Sequence, residues 1–139
     1  MTDARLLDRK ALTLETARKI ADAAMAEAVA NNARMAIAIV DDGGHLLHFL
    51  RMDNVAPAAA EVGLAKARSA ALFGRATKAW EEIMAGGRIA VASIPNVMPL
   101  GGGVPLVVDG MRLGAIGASG STSAMDDQVA QAGAKVLEG

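Results

Sequence analysis

A two-residue step, Asp109-Gly110, joins two apolar runs and limits more than any other feature how this chain can fold. Residues 104–108 and 112–118 flank the step, and Asp-Gly between apolar runs is a strong local signal of a β-hairpin. A second pattern of this kind lies earlier, with an apolar run at residues 35–40, Asp-Asp-Gly-Gly at 41–44 and a return strand at 45–51. Two hairpins predict an antiparallel sheet.

Helical periodicity is found in the segments before, between and after these hairpins. Apolar side chains recur every three or four positions over residues 13–31, 57–73, 77–84 and from Ser123 onward. Thr13 is the predicted N-cap of the first helix, and Ser123 with Asp126 resembles a capping box at the start of the last. The residues of the second helix that we expect to face inward are Val62, Ala65, Ser69 and Leu72.

The order of these elements predicts a single α+β domain over residues 1–139, with an antiparallel sheet flanked by helices. Residues 88–99 show little periodicity and contain two prolines. We expect a loop there, with a short strand over residues 89–93.

Composition excludes several classes of function. The chain has no cysteine, so it has neither disulfides nor thiolate metal sites. A net charge of -1 from interspersed acids and bases, with only 2% aromatic residues, argues against nucleic-acid binding. No long apolar run follows the charged first residues, so we expect no membrane span and a cytoplasmic location.

Glycine-rich bends bracket the second hairpin and supply the first candidate ligand-binding residues. They are Gly101, Gly102 and Gly103 before it, and Ser119, Gly120, Ser121 and Thr122 after it. Their amides, with the N-terminus of the last helix, would form a concave donor site for a ligand carboxylate. The alternative interpretation is that the glycines only permit tight turns at the strand ends.

Two cations lie on the second predicted helix, at Lys66 and Arg68. By helical geometry Lys66 lies about 40° from Val62, which would aim its amine toward the sheet edge. There it could pair with an acid, bind a ligand carboxylate or carry a proton, although a solvated surface lysine is the alternative. Asp53 is the candidate acid for such a pair, and capping of a loop is the alternative role for Asp53.

The chain offers few ligands for a metal. His45 and His48 are three positions apart on a predicted strand, so they should point to opposite faces and cannot bind one ion together. Met98, in the 88–99 loop, is a candidate axial ligand for haem iron, although methionine more often fills space in a core. No zinc-type spacing is present, and we expect no metal site.

Several short motifs extend over nearly the whole chain. In order, they are Leu12-Thr13-Leu14-Glu15, Val40-Asp41-Asp42-Gly43-Gly44-His45-Leu46, Arg51-Met52-Asp53, Lys66-Ala67-Arg68, Leu72-Phe73-Gly74-Arg75, Gly102-Gly103-Val104-Pro105-Leu106, Val108-Asp109-Gly110, Gly114-Ala115-Ile116-Gly117-Ala118-Ser119-Gly120 and Asp126-Asp127. With these motifs the chain resembles the GlcG/HbpS family, also called haem-degrading or DUF336 proteins. This family includes the C-terminal domain of PduO-type corrinoid adenosyltransferases.

The resemblance implies a profilin-like fold with about five antiparallel strands, assembled into a homo-oligomer. It also implies binding of haem or a related tetrapyrrole in some members, haem degradation in some, and genes among small-organic-acid pathways in others. We therefore expect a small-ligand-binding protein with haem as the leading ligand. Asn96 and Met98, the two glycine-rich bends and Arg68 are its expected binding residues.

The alternative function is an acid/base enzyme, such as an isomerase, hydratase or lactone-opening enzyme, that acts on a small carboxylated metabolite. Lys66 or His45 would then be the acid/base group, and amides of the glycine-rich bends would stabilise an oxyanion. A third possibility is an assembly scaffold without a ligand, which accounts equally well for the alanine-rich helices. The sequence leaves all three open, together with the identity of the ligand, the number of subunits and whether a site is shared between them.

Overall fold

The computed structural model describes residues 3–138, and in it helices and strands follow the order predicted from the sequence. The elements are α1 Leu14–Ala30, β1 Ala36–Asp41, β2 Leu46–Arg51, α2 Ala58–Phe73, α3 Thr77–Ala85, β3 Gly103–Val108, β4 Met111–Ser119 and α4 Ser123–Ala134. Two short 3-10 helices cover Ile89–Ser93 and Lys135–Glu138. The two hairpins and the four α-helices are therefore confirmed. None of the helices within residues 3–138 is long and apolar enough to cross a membrane.

The four strands form one antiparallel sheet in the order β2-β1-β4-β3. Asp109 and Gly110 both have positive φ angles, of 51° and 74°, as expected for the type I′ turn of a two-residue hairpin. The predicted antiparallel sheet is confirmed, and among the described residues it has four strands where the resemblance implied about five. The expected strand over residues 89–93 is also wrong, because only Val91 is buried there and no alternating apolar face exists for a strand to bury.

Helices cover both faces of the sheet. On one face, α1 and α4 enclose the larger core around Ile37, Ile39 and Ile116. On the other face, α2 packs its alanines against the side chains that alternate with these, Ala38, Val40 and Ala115. The small residues let the helix backbone lie close to the sheet.

The inward face of α2 differs from the predicted one. Its buried residues are Ala59, Gly63, Lys66, Ala67, Ser69, Ala70 and Ala71, and Leu72 is exposed. The smallest side chains face the sheet because a larger residue there would hold the helix away from it. Of the four residues that we expected to face inward, only Ser69 is fully buried.

The sheet has two distinct ends. At one end, which we call the glycine end, β1 and β3 begin and β4 finishes at Ser119. At the other, the hairpin end, lie the β1–β2 and β3–β4 turns. β4 has nine residues, so at about 3.3 Å per residue the two ends are roughly 25 Å apart.

Candidate functional site

An ion pair between Lys66 and Asp126 lies inside the protein at the glycine end. Lys66 Nζ is 2.8 Å from Asp126 Oδ2, and the two side chains are 2% and 4% exposed. Lys66 Nζ also donates a hydrogen bond to the carbonyl oxygen of Ala118, at 3.2 Å. Of the alternatives considered for Lys66, the structure shows a buried amine paired with an acid. The candidate partner, Asp53, is exposed and does not fill this role.

The ion pair holds the two glycine-rich bends together. The amide of Ser121 donates to Asp126 Oδ1 at 2.9 Å, which fixes the bend after β4. A Cβ atom at Gly102 would overlap the carbonyl oxygen of Ala118 and lie 3.0 Å from both Asp126 Cβ and Lys66 Cδ. The bend before β3 therefore packs directly on the ion pair, and glycine at position 102 is required by this close approach and by its φ angle of 131°.

Amides of both bends donate hydrogen bonds within the protein. Gly101 N donates to Glu81 Oε1 at 2.7 Å, and Gly103 N donates to Thr77 Oγ1 at 2.8 Å. With the amide of Ser121 bound to Asp126, three amides that the sequence analysis assigned to a ligand carboxylate are already used. The glycines of residues 101–103 are also buried, so they form the floor of the site.

The N-cap of α4 lies one residue earlier than Ser123, the N-cap that the capping-box motif predicts. Thr122 is its N-cap, and Thr122 Oγ1 accepts a hydrogen bond from Met125 N at 3.2 Å. Asp126 then lies one turn into the helix, where the dipole favours a carboxylate. The Asp126 side chain does not form a capping box; it accepts hydrogen bonds from the amide of Ser121 and the amine of Lys66. At α1 the predicted cap is confirmed, since Thr13 Oγ1 accepts from Thr16 N.

The remaining predicted residues lie at the two opposite ends of the sheet. Asn96 and Met98 belong to the segment that leads into Gly101, where Asn96 is exposed and Met98 is half-buried. The amide of Met98 donates to Ser69 Oγ of α2 at 3.2 Å. Ser119 is buried, whereas residues 120–122 are exposed at the edge of the site. We call residues 96–100 and 119–122 together the rim, with residues 101–103 as its floor.

Arg68 and His45 are not part of the rim. Arg68 Cγ lies 3.8 Å from the position that a Cβ of Gly44 would take, which places this side chain over the β1–β2 turn at the hairpin end. His45 is exposed in the same turn, where its amide donates to Asp41 Oδ1 at 2.9 Å. Lys66 and His45 therefore cannot act together on one substrate, and the burial of Lys66 leaves its amine without access to solvent.

An open cleft of about 380 Å³ adjoins the rim, between α3 and the first turns of α4. Its charged residues are Lys78, Glu81, Glu82 and Asp127. Lys78 Nζ lies 3.7 Å from Asp127 Oδ2 across the cleft, and Asp127 Oδ1 is buried with no hydrogen-bond partner among residues 3–138. With three acids and one base, this cleft is unfavourable for a ligand carboxylate. No group of three His, Asp or Glu side chains within the described residues could hold a metal ion.

Three residues that build the site were not identified from the sequence: Asp126 as the partner of Lys66, and Thr77 and Glu81 as acceptors for the glycine amides. Asp126 is 60 positions from Lys66 along the chain, and no local pattern indicates such a pairing. A weak signal existed for Thr77, because it is a hydroxyl residue at the start of a predicted helix and such residues bind nearby backbone amides.

Comparison with known proteins places this geometry in a family. The family model described as "Haem degrading protein HbpS-like" matches residues 12–135. The chain belongs to this family. Protein GlcG of Escherichia coli strain K12 is 50% identical to it over 108 residues, which are 78% of this chain and 81% of that protein.

Two solved structures share the fold. A crystal structure of HbpS has a TM-score of 0.87 and 33% identity, with 98% of this chain and 99% of that chain covered. A crystal structure of a PduOC:haem complex has a TM-score of 0.82 and 24% identity, with 92% and 96% covered. The α+β architecture of this chain is thus that of its family, and the second structure, at this identity, supports the fold alone.

Proposed function

We propose that this protein binds haem or a related tetrapyrrole on the rim and the segment that precedes it, and that it works as a homo-oligomer. Membership of the HbpS-like family supports the ligand class, and a haem complex of PduOC, which has the same fold, is consistent with it. The buried ion pair supports a binding role over acid/base catalysis, because Lys66 is enclosed and His45 lies at the far end of the sheet.

The observation that carries the proposal is a stretch without charge that leads into the rim and overlaps it at residues 96–100. No charged residue occurs between Arg88 and Asp109. In the first part of this stretch, residues 89–100, which we call the apolar loop, Ile89 is 70% exposed, and Ile94 and Leu100 are 38% and 42% exposed. Exposed apolar surface of this kind is typical of a site that a ligand or partner covers. The face of a porphyrin ring is a ligand surface that it would fit.

The residues of the apolar loop suit haem in two further respects. Haem iron is held in proteins by His, Met, Cys or Tyr, and Met98 is half-buried there with its backbone fixed by Ser69. Arg88 is exposed directly before the loop, where it could pair with a haem carboxylate. When bound, haem would supply a redox-active iron, and Met98 would be its candidate ligand from this chain.

Titration with haemin tests the proposal with two signals. The Soret band reports on the haem, and the fluorescence of Trp80 reports on the protein because it is the one tryptophan in the chain. Trp80 is on α3, the helix that precedes the apolar loop. We expect a Soret shift and quenching that both saturate near one haem per chain. An unchanged Soret band at stoichiometric protein would overturn the proposal.

Variants of the apolar loop test its location. Ile94→Asp with Leu100→Asp places two carboxylates under the porphyrin, and we expect at least a tenfold loss of affinity because an unpaired charge is costly to bury. Leu46→Asp with Val107→Asp is the matched control, since both are exposed apolar residues at the hairpin end of the sheet. Equal affinity of the two variants would exclude the apolar loop as the site.

The role of Met98 is tested separately. Met98→Leu keeps the size and apolar character of the side chain while removing the sulfur. If Met98 binds iron, this variant should move the Soret band of bound haem, and the affinity for iron-free protoporphyrin IX should stay the same. An identical Soret spectrum would show that apolar contact alone binds the ring.

A further inference from the structure

Gly101 belongs to two surfaces at the glycine end of the sheet. It is part of the floor of the rim, and it also lines the cleft between α3 and α4. Its amide is held by Glu81 Oε1 at 2.7 Å, so the boundary between rim and cleft is fixed. Leu100, the last residue of the apolar loop, directly precedes this boundary and is 42% exposed. Consecutive Cα atoms are about 3.8 Å apart, so a porphyrin ring that covers Leu100 brings one edge to the mouth of the cleft.

The charges of the cleft are unfavourable for an anion. Its one base, Lys78, lies 3.7 Å from Asp127 and is compensated by it. Glu81 and Glu82 form no ion pair within residues 3–138, so two negative charges of the lining remain uncompensated. The N-terminus of α4 would attract an anion, but the carboxylate of Asp126 already lies in its first turn. A carboxylate at the mouth of the cleft would therefore be repelled.

The other side of the boundary is neutral and apolar. No charged residue occurs between Arg88 and Asp109, and the apolar loop exposes large side chains within this stretch. Arg88, the base that the proposed function assigns to a haem carboxylate, is not among the residues that line the cleft. The proposed ligand surface is thus attractive for an apolar ring on one side and repulsive for carboxylates on the other.

We propose that the cleft is the specificity-determining wall of the tetrapyrrole site, and that it selects rings with one edge free of carboxylates. This inference rests on the proposed function and names the class of tetrapyrrole that the site accepts. The cleft acts by excluding ligand carboxylates, a repulsive element of the kind that specificity often requires. It holds no group of the ligand itself.

The distribution of carboxylates around the ring decides which ligands can avoid the cleft. Haem carries both of its carboxylates on adjacent pyrroles, so the ring can lie on the apolar loop with its opposite edge toward the cleft. Coproporphyrin carries a carboxylate on every pyrrole, so every orientation directs one of them at Glu81 and Glu82. Like charges held a few ångströms apart near a protein surface lower affinity. We therefore expect the site to prefer haem over iron coproporphyrin.

Titration of the wild-type protein with haemin and with iron coproporphyrin III tests this preference. The two ligands share the metal and differ at the edge of the ring, and both are followed by the Soret band and by quenching of Trp80. We expect haemin to bind about tenfold more tightly. Equal affinities, or tighter binding of coproporphyrin, would overturn the inference and leave the proposed function intact. If haemin itself does not bind, both are refuted.

Glu82→Gln with Asp127→Asn tests whether the cleft is the origin of the preference. These substitutions remove two of the three acids that line the cleft and leave its lining without net charge. We expect the ratio of the two affinities to fall by about tenfold. Asp8→Asn with Asp109→Asn is the matched control, because it removes the same charge from an open groove beside the β3–β4 turn, at the hairpin end. Equal ratios in the two variants would overturn the inference.

Salt and a single substitution give the same test if the double variant does not fold. Ionic strength screens interactions between exposed charges, so high salt should lower the affinity ratio of the wild type. Glu82→Gln alone, at an exposed position, should lower it by about threefold at low salt. A ratio that responds neither to salt nor to this substitution would show that the charges of the cleft do not act on the ligand.

Discussion

The ion pair at the glycine end predicts that Lys66→Met is far more harmful than the loss of one surface charge. Removal of one partner of a buried pair typically costs about 3–5 kcal/mol, because the other charge stays buried without compensation. In Lys66→Met, Asp126 would keep the amide of Ser121 at 2.9 Å and its favourable place in the first turns of α4. We therefore expect a loss near the lower limit, about 3 kcal/mol.

Substitution of the other partner, Asp126, should lower the free energy of unfolding by more. In Asp126→Leu, the Lys66 ammonium would retain only the carbonyl oxygen of Ala118, and the amide of Ser121 would lose its acceptor. We expect about 5 kcal/mol for this variant. In the double variant, Lys66→Met with Asp126→Leu, no charge remains to be buried, so the loss should fall to about 1 kcal/mol for the unpaired amide of Ser121.

Urea unfolding, followed by far-UV circular dichroism and Trp80 fluorescence at one fixed protein concentration, measures these differences. Lys19→Met is the matched control, because Lys19 Nζ lies 3.6 Å from Glu15 Oε1 and the two side chains are 66% and 81% exposed. A pair of that kind contributes at most about 1 kcal/mol. If Lys66→Met costs no more than Lys19→Met, the buried ion pair does not stabilise the protein in the way that its geometry implies.

Two smaller predictions concern the bends. Gly102→Ala should cost about 2–5 kcal/mol in urea unfolding, because the φ angle of Gly102 is 131° and the added methyl would overlap the carbonyl oxygen of Ala118. Gly110→Ala is the control and should cost about 1 kcal/mol, because Gly110 has a φ angle of 74° but open space around it. Equal losses of stability in the two variants would contradict the close packing at Gly102. Thr122→Ala removes the acceptor for Met125 N and should cost about 1 kcal/mol in thermal unfolding. An unchanged midpoint would show that this cap is not formed.

Much of the fold could be predicted from the sequence because its determinants are local. The Asp109-Gly110 turn needs two consecutive residues with positive φ, and that requirement is visible in two letters of sequence. Thr13 caps α1 through a contact with a residue three positions away. The prediction of a strand over residues 89–93 was wrong because apolar character without alternation does not identify a strand.

The site was predicted only in part, since its key contacts are tertiary. Helical geometry placed Lys66 near the inward face of α2, and the structure buries it there. The choice of Asp126 over Asp53 as its partner depends on how α4 returns to the sheet, which no local pattern specifies. Sequence also indicated that the bends lie at one end of the sheet, but it could not indicate that Thr77 and Glu81 accept hydrogen bonds from the glycine amides.

The ion pair also decides how a loss of ligand binding should be interpreted. The ion pair contacts both bends, with Lys66 beside Gly102 and Asp126 at the amide of Ser121, so Lys66→Met could weaken haemin binding by displacing Gly102 although the amine never touches the ligand. The double variant with Asp126→Leu separates the two cases, because it removes the amine while relieving the buried charge. Recovery of haemin affinity in the double variant would identify Lys66 as a positioning residue. Equal loss in the single and double variants, with both folded, would show that relief of the buried charge does not restore the site, and would leave the bend after β4, where Asp126→Leu removes the acceptor of the Ser121 amide, as the affected contact.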